Sequence, residues 1–211
     1  MIKNLKLLKY GYQFKSNMVF SVFFIILGVA LITFIDTFKS PSVYMMFYCG
    51  FLFIIQTAST LMSSKIVKSS PKYRQFCLGV PRIINIAAFF SVIIILSVIR
   101  FIQADSIEKF TQCMGNELII AGLEYFILLL YTTFGYKFFI VSLVLFCMGC
   151  ILSNGLLYFL FETYNFNFWQ GAVIAVLFFA FGMFLSEIAG RAIYKVQPSK
   201  LAQSVSLRRY I

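Results

Sequence analysis

The sequence predicts an all-α membrane protein, a bundle of six transmembrane helices, and three observations predict it. Of its 211 residues 61% are hydrophobic and the mean hydropathy is +0.92, more apolar surface than a water-soluble fold of this length covers with polar side chains. Only 12% of residues are charged. They are clustered, leaving apolar stretches of about 17–24 residues, the length that crosses a hydrocarbon core as helix. The stretches lack period-2 alternation, so a transmembrane β-barrel is not supported.

Residues 1–17 form a basic lead. Ile2, Leu5, Leu8 and Tyr12 recur at helical spacing, while Lys3, Lys6 and Lys9 gather on a different face. This predicts an interfacial amphipathic helix; a plain basic flank that orients the first span is the other reading of the same residues. A full-length span follows, so the lead is expected to be retained and not cleaved as a signal peptide. The transmembrane domain covers residues 18–190, with spans expected at Met18–Ile35, Val43–Met62, Ile83–Ile102, Leu118–Phe134, Phe138–Phe161 and Phe168–Ile188. Ser40-Pro41 punctuates the start of the second span and Gly135-Tyr136 the turn after the fourth. Residues 191–211 make a basic tail.

The net charge of +11 follows the spans, so membrane orientation explains it better than nucleic acid. With both termini in the cytoplasm, 15 of the 18 Lys and Arg residues fall on inner segments, and only Lys39, Arg100 and Lys109 fall outside. Asp36, Asp105, Glu108, Glu117 and Glu162 are also expected outside. An odd number of spans would spoil this bias. A multi-pass protein of the cell membrane is therefore expected, with tyrosine and tryptophan (Tyr158, Tyr164, Trp169) at the outer interface.

The longest inner loop, residues 63–82, reads as a short helix with marked ends. Ser70 suits an N-cap and Pro71 a first turn, while Gly79 suits the position past the end and Pro81 opposes continuation. Pro71–Leu78 would be about 12 Å long. Lys72, Arg74, Tyr73 and Phe76 mix charge with aromatic surface, a composition suited to a docking contact; a basic loop serving orientation alone is the competing reading.

The basic amphipathic lead, six spans and this loop resemble the membrane subunit of type-2 ABC exporters (the ABC-2 family). The segment SKIVKSSPKYRQFCLGVP, Ser64 to Pro81, is similar to a Ser-Ser-Pro loop in small clostridial members. The resemblance implies that Pro71, Lys72, Tyr73, Arg74, Gln75 and Phe76 form a cytoplasmic coupling helix that docks on an ATPase subunit. It also implies a homodimer or heterodimer with a second six-span permease. The chain is shorter than most members, and its outer loop from Glu162 to Asn167 is brief.

The sequence contains no G-x-x-x-x-G-K-[ST] phosphate loop, so ATP would be bound and hydrolysed by a partner chain. It contains no histidine, which removes His-dependent nucleophile triads, HExxH proteases and His-based phosphatases. An enzyme is not expected, nor a cofactor or metal bound by this chain. Cys49, Cys77, Cys113, Cys147 and Cys150 read as small apolar packing residues, Cys147-x-x-Cys150 included.

Glu124 lies well inside the fourth span, where a charged carboxylate costs about 2.5–3.5 kcal/mol on insertion scales. Contact with a substrate or proton is one reading; a structural hydrogen bond to Gln56 or Asn154 is the other. Glu187 stands four residues before Arg191, ion-pair spacing on a helix. Gly182, Ser186 and Gly190 repeat every fourth residue, a ridge for close helix packing. Gly171 with Ala175, and Gly149 with Ser153, extend the theme.

The function expected on these grounds is an exporter permease moving a hydrophobic, lipid or peptide substrate with a separate ATPase. The rival readings are the substrate-binding membrane subunit of a vitamin-type importer and a non-transporting immunity or scaffold protein. The first needs several convergent polar groups; the second tolerates loss of Glu124 and of the inner loop.

Overall fold

The computed structural model describes residues 9, 13–34, 42–63, 68, 69, 71, 73–135 and 137–194. Six helices hold most of them: α1 Phe14–Phe34, α2 Ser42–Ser63, α3 Tyr73–Gln103, α4 Ile107–Gly135, α5 Phe139–Thr163 and α6 Phe168–Tyr194. There is no strand among the described residues. Five helices, all but α2, are long and apolar enough to cross a membrane. The architecture is that of a helical, membrane-embedded protein. α2 has 22 residues, with a shorter apolar stretch at Met46–Met62.

Local chemistry explains the helix ends. Asn167 caps α6, its Oδ1 accepting from the Gln170 N–H at 2.9 Å, while Gln170 Oε1 accepts from the Asn167 N–H at 3.1 Å. This reciprocal pair is a capping box. At the start of α4 the Ser106 hydroxyl accepts from the Lys109 N–H at 3.3 Å, and Lys109 pairs with Asp105 at 3.1 Å.

The loop between the second and third spans differs from expectation. No separate helix ends at Gly79 and Pro81; α3 runs unbroken for 31 residues with Pro81 inside it. Proline removes one N–H and crowds the carbonyl four residues back, which weakens a helix but does not end one held by its neighbours. Here Phe76, Cys77, Val80 and Ile84 are buried around Pro81 and hold both sides of it. No described glycine has positive φ, so Gly79 does not adopt the left-handed cap conformation. The expected interfacial helix falls mostly on residues outside those described, and Phe14–Asn17 form the first turn of α1.

α4 is the axis of the bundle. It packs against α2, α3, α5 and α6, and 72% of its apolar window is buried, against 11% for α6. Glycines set these contacts. A methyl group on Gly171 of α6 would overlap the carbonyl oxygen of Gly115, and one on Gly122 would stand 2.9 Å from the Ala175 Cα. Gly182 meets Leu129 and Phe126, Gly190 meets Leu78 of α3, and Gly149 of α5 meets Ile127. The small-residue ridge of α6 therefore packs within the chain. α1 pairs with α2 in the same way, through Gly28 on Phe47 and Gly50 on Ile25 and the Ser21 carbonyl. Phe89 of α3, Tyr125 of α4 and Phe179 of α6 interlock, with ring centroids 4.8–5.3 Å apart.

The outward faces are apolar. Val144, Ile151 and Phe159 of α5, Val173, Val176 and Phe184 of α6, and Phe23 and Ile26 of α1 are all exposed. Tyr158, Tyr164 and Trp169 are exposed as well.

Because a side chain at Gly171 must push α6 off α4, Gly171→Val is expected to destabilise the bundle by about 1–3 kcal/mol, the cost of overpacking. Gly155 has open space around its α-carbon, so Gly155→Ala is expected to be neutral or to stabilise by up to about 1 kcal/mol. Reversible unfolding in mixed detergent micelles measures both.

Candidate functional site

An axial helix surrounded by four others leaves no solvent for its own polar side chains. α4 nevertheless carries Glu117, Glu124, Thr132 and Thr133, all buried. Glu117 and Glu124 are seven residues apart, about 10 Å along the axis. Thr132 follows about 12 Å further on. Polar groups on the surrounding helices meet Glu117 and Thr132, Thr133 donates to the Leu129 carbonyl of α4 itself, and Glu124 is left without a hydrogen bond.

At one end Arg100 of α3 forms an ion pair through Nε with Glu117 Oε1; the two residues are 4% and 2% exposed. Arg100 Nη1 also donates to Gln103 Oε1 at 2.7 Å, and Gln103 Nε2 donates to the Thr33 carbonyl at 3.1 Å. The network joins the end of α1 to α3 and α4. Arg100 was expected at the outer end of the third span and Glu117 just before the start of the fourth, both on the outer side. The structure brings them together: α4 begins at Ile107, ahead of its expected span, so Glu117 lies on a helix and faces Arg100 across packed faces of α3 and α4. Beside the pair is a recess of about 390 Å³ lined by Thr33, Phe34, Arg100, Gln103, Ala104, Asp105, Lys109 and Cys113.

Glu124 stands midway along α4 and is 2% exposed. Neither of its carboxyl oxygens has a hydrogen-bond partner. The bonds expected from Gln56 or Asn154 are not made. Asn154 Nδ2 donates instead to the Cys150 carbonyl of its own helix, at 2.7 Å, and its Oδ1 has no partner. Tyr48, Cys49 and Cys150 are among the titratable groups near Glu124. The Tyr48 hydroxyl is committed elsewhere, donating to the Ala121 carbonyl at 2.8 Å.

Toward the other end Asn85 of α3 donates from Nδ2 to the Thr132 hydroxyl at 2.8 Å. Glu187 of α6 accepts from Arg191, the expected spacing pair, and also from Arg82 of α3 at 2.9 Å. The second bond was not legible in sequence because it spans 105 positions. A polar recess of about 50 Å³ lies between these groups, among α3, α4 and α6. Ser186 lines it and donates to the Met183 carbonyl at 2.9 Å. Lys137, in the turn between α4 and α5, is buried near Cys77 and Lys68. Burial lowers its ammonium below the ordinary lysine value; Cys77 raises it and the Lys68 charge lowers it further.

Of the expected docking residues, Phe76 is 3% exposed and packs in the core, so it is not surface for a partner. It lies on the inward face of a helix that continues into the bundle. Tyr73 is half-buried and Pro71 exposed. Lys72 lies outside the described residues, as do the side chains of Arg74 and Gln75. The five cysteines are free thiols, and no group of three metal-ligating side chains occurs among the described residues.

No family model matches the chain, and no curated protein or solved structure shows significant similarity to it.

Removing one partner of a buried ion pair strands the other charge. Arg100→Ala is therefore expected to destabilise the protein by about 3–5 kcal/mol. Arg100→Met combined with Glu117→Leu is expected to recover most of that loss, because no charge is left buried. Detergent unfolding of the single and double variants measures the difference.

Proposed function

We propose that the chain is the membrane permease subunit of an exporter powered by a separate ATPase, the role its resemblance to type-2 ABC exporters implies. The observation that supports it is Glu124. A carboxyl group in the middle of a buried helix, with no hydrogen bond to either oxygen, holds nothing together. An intramembrane ionisable residue of this kind is by default a contact for what passes through the bundle. Gln56 and Asn154, neither of which bonds to Glu124, belong to the same reading as polar lining of a route.

In this reading α2 is the sixth span, its 22 residues reaching about 33 Å. The basic segments hold both termini in the cytoplasm and the chain in the cell membrane. Pro71 to Gln75 present the docking surface, with α3 carrying ATPase motion directly into the bundle because it is continuous through Pro81. ATP binding and hydrolysis belong to the partner, and a second six-span subunit completes the path. The substrate class is hydrophobic, lipid or peptide.

The importer capture subunit draws on one observation, the recess where Arg100, Gln103, Asp105 and Lys109 converge. Those groups would bind a small polar ligand, and such a protein would bind it tightly without the docking surface.

The test is co-purification with the candidate ATPase in mild detergent. The wild type is expected to retain the ATPase, and Lys72→Glu with Arg74→Glu to lose it while staying monodisperse. In reconstituted vesicles Glu124→Gln is expected to slow ATP-driven transport about tenfold, a change of about 1.4 kcal/mol. Absence of any ATPase from the wild-type complex defeats the exporter reading.

A further inference from the structure

The recess among α3, α4 and α6 is lined by Cys77, Pro81, Asn85, Thr132, Ser186 and Glu187, with Arg82 at its side. Its inner wall offers lone pairs. Thr132 and Thr133 both donate their hydroxyl protons to the Leu129 carbonyl at 2.8 Å, and Ser186 donates to Met183. Pro81 has no N–H, so the Cys77 carbonyl lacks its usual donor four residues on. Asn85 is fully buried, and its Oδ1 has no partner. A buried acceptor left unmatched is costly, and it calls for a ligand that brings hydrogen-bond donors.

The mouth has the opposite character. Glu187 is a single carboxylate facing two guanidinium groups, Arg82 and Arg191. The side chains of Arg82, Glu187 and Arg191 are 33%, 41% and 62% exposed, so the surplus positive charge is accessible. It sits at the end of two membrane-length helices, beside the exposed apolar residues Phe184 and Ile188 of α6. A ligand for this place has an anionic group for the arginines, hydroxyl donors small enough for the recess, and an apolar body for the outer face.

We propose that this recess binds the headgroup of an anionic, hydroxyl-bearing phospholipid. The phosphate lies against Arg82 and Arg191, and a headgroup hydroxyl enters to donate to Asn85 Oδ1. Arginine forks suit phosphate oxygens, and basic clefts between membrane helices are known places for lipid headgroups. The site goes beyond transport: it requires neither the ATPase nor a particular substrate.

The test is native mass spectrometry of the intact protein, incubated in mild detergent with an equimolar mixture of lipids. Phosphatidylglycerol carries both phosphate and hydroxyls, phosphatidic acid lacks the hydroxyl headgroup, and phosphatidylcholine has no net charge. The wild type is expected to retain phosphatidylglycerol over phosphatidylcholine by about tenfold, and over phosphatidic acid as well. Arg191→Gln, on the exposed last turns of α6, is expected to abolish the preference over phosphatidylcholine without altering the size-exclusion profile. Equal retention of phosphatidylglycerol and either other lipid overturns the proposal. So does an undiminished preference in Arg191→Gln. Displacement of phosphatidylglycerol by inorganic phosphate, in a parallel arm, identifies the ligand as a free anion and overturns the lipid assignment.

Discussion

The bundle depends on how closely the backbones of α4 and α6 approach each other. Gly115 and Gly171 leave no room for a side chain between them, and Gly122 meets the backbone of Ala175 one crossing further along. In lipid there is no hydrophobic drive pressing apolar helices together, so dispersion across such close contacts supplies much of the association. Once α6 lies that near, α2, α3 and α5 can surround the remaining faces of α4 and bury it along most of its length.

That enclosure gives the polar side chains of α4 their meaning. A lipid-facing carboxylate would cost energy and signify little, whereas one on an enclosed axis must find a partner or bear the full cost of having none. Glu117 meets Arg100, and Thr132 meets Asn85. The Arg100 pair does more than cancel charge. Through Gln103 it reaches the Thr33 carbonyl, tying the outlying α1 to the centre. Glu124, neither of whose carboxyl oxygens is bonded, lies between these two positions, next in sequence to Tyr125, whose buried hydroxyl also lacks a partner.

Much of the fold was legible in sequence. Apolar runs set off by charged clusters placed all six helices, and the i,i+4 spacing of Glu187 and Arg191 exposed their ion pair. What misled was local chemistry read without tertiary context. Gly79 and Pro81 are ordinary helix-ending residues in water, but burial of Phe76, Cys77 and Val80 keeps α3 intact past them. The pairing of Arg100 with Glu117 was not legible, because an arginine paired with a glutamate 17 positions away leaves no periodic trace. Glu124 was visible as an intramembrane acid, but its isolation was not, since hydrogen bonding by Gln56 or Asn154 is a matter of distance. The acceptor-lined recess by Asn85 was likewise hidden, being assembled from three helices.

The central claim is that Glu124 contributes nothing to holding the helices together. Unfolding of Glu124→Leu in mixed micelles tests it most directly. A leucine there removes an unmatched polar group and adds apolar contact, so the account predicts unchanged or increased stability, by up to about 2 kcal/mol. A loss of about 2 kcal/mol or more would show that Glu124 makes structural bonds, and would contradict the account.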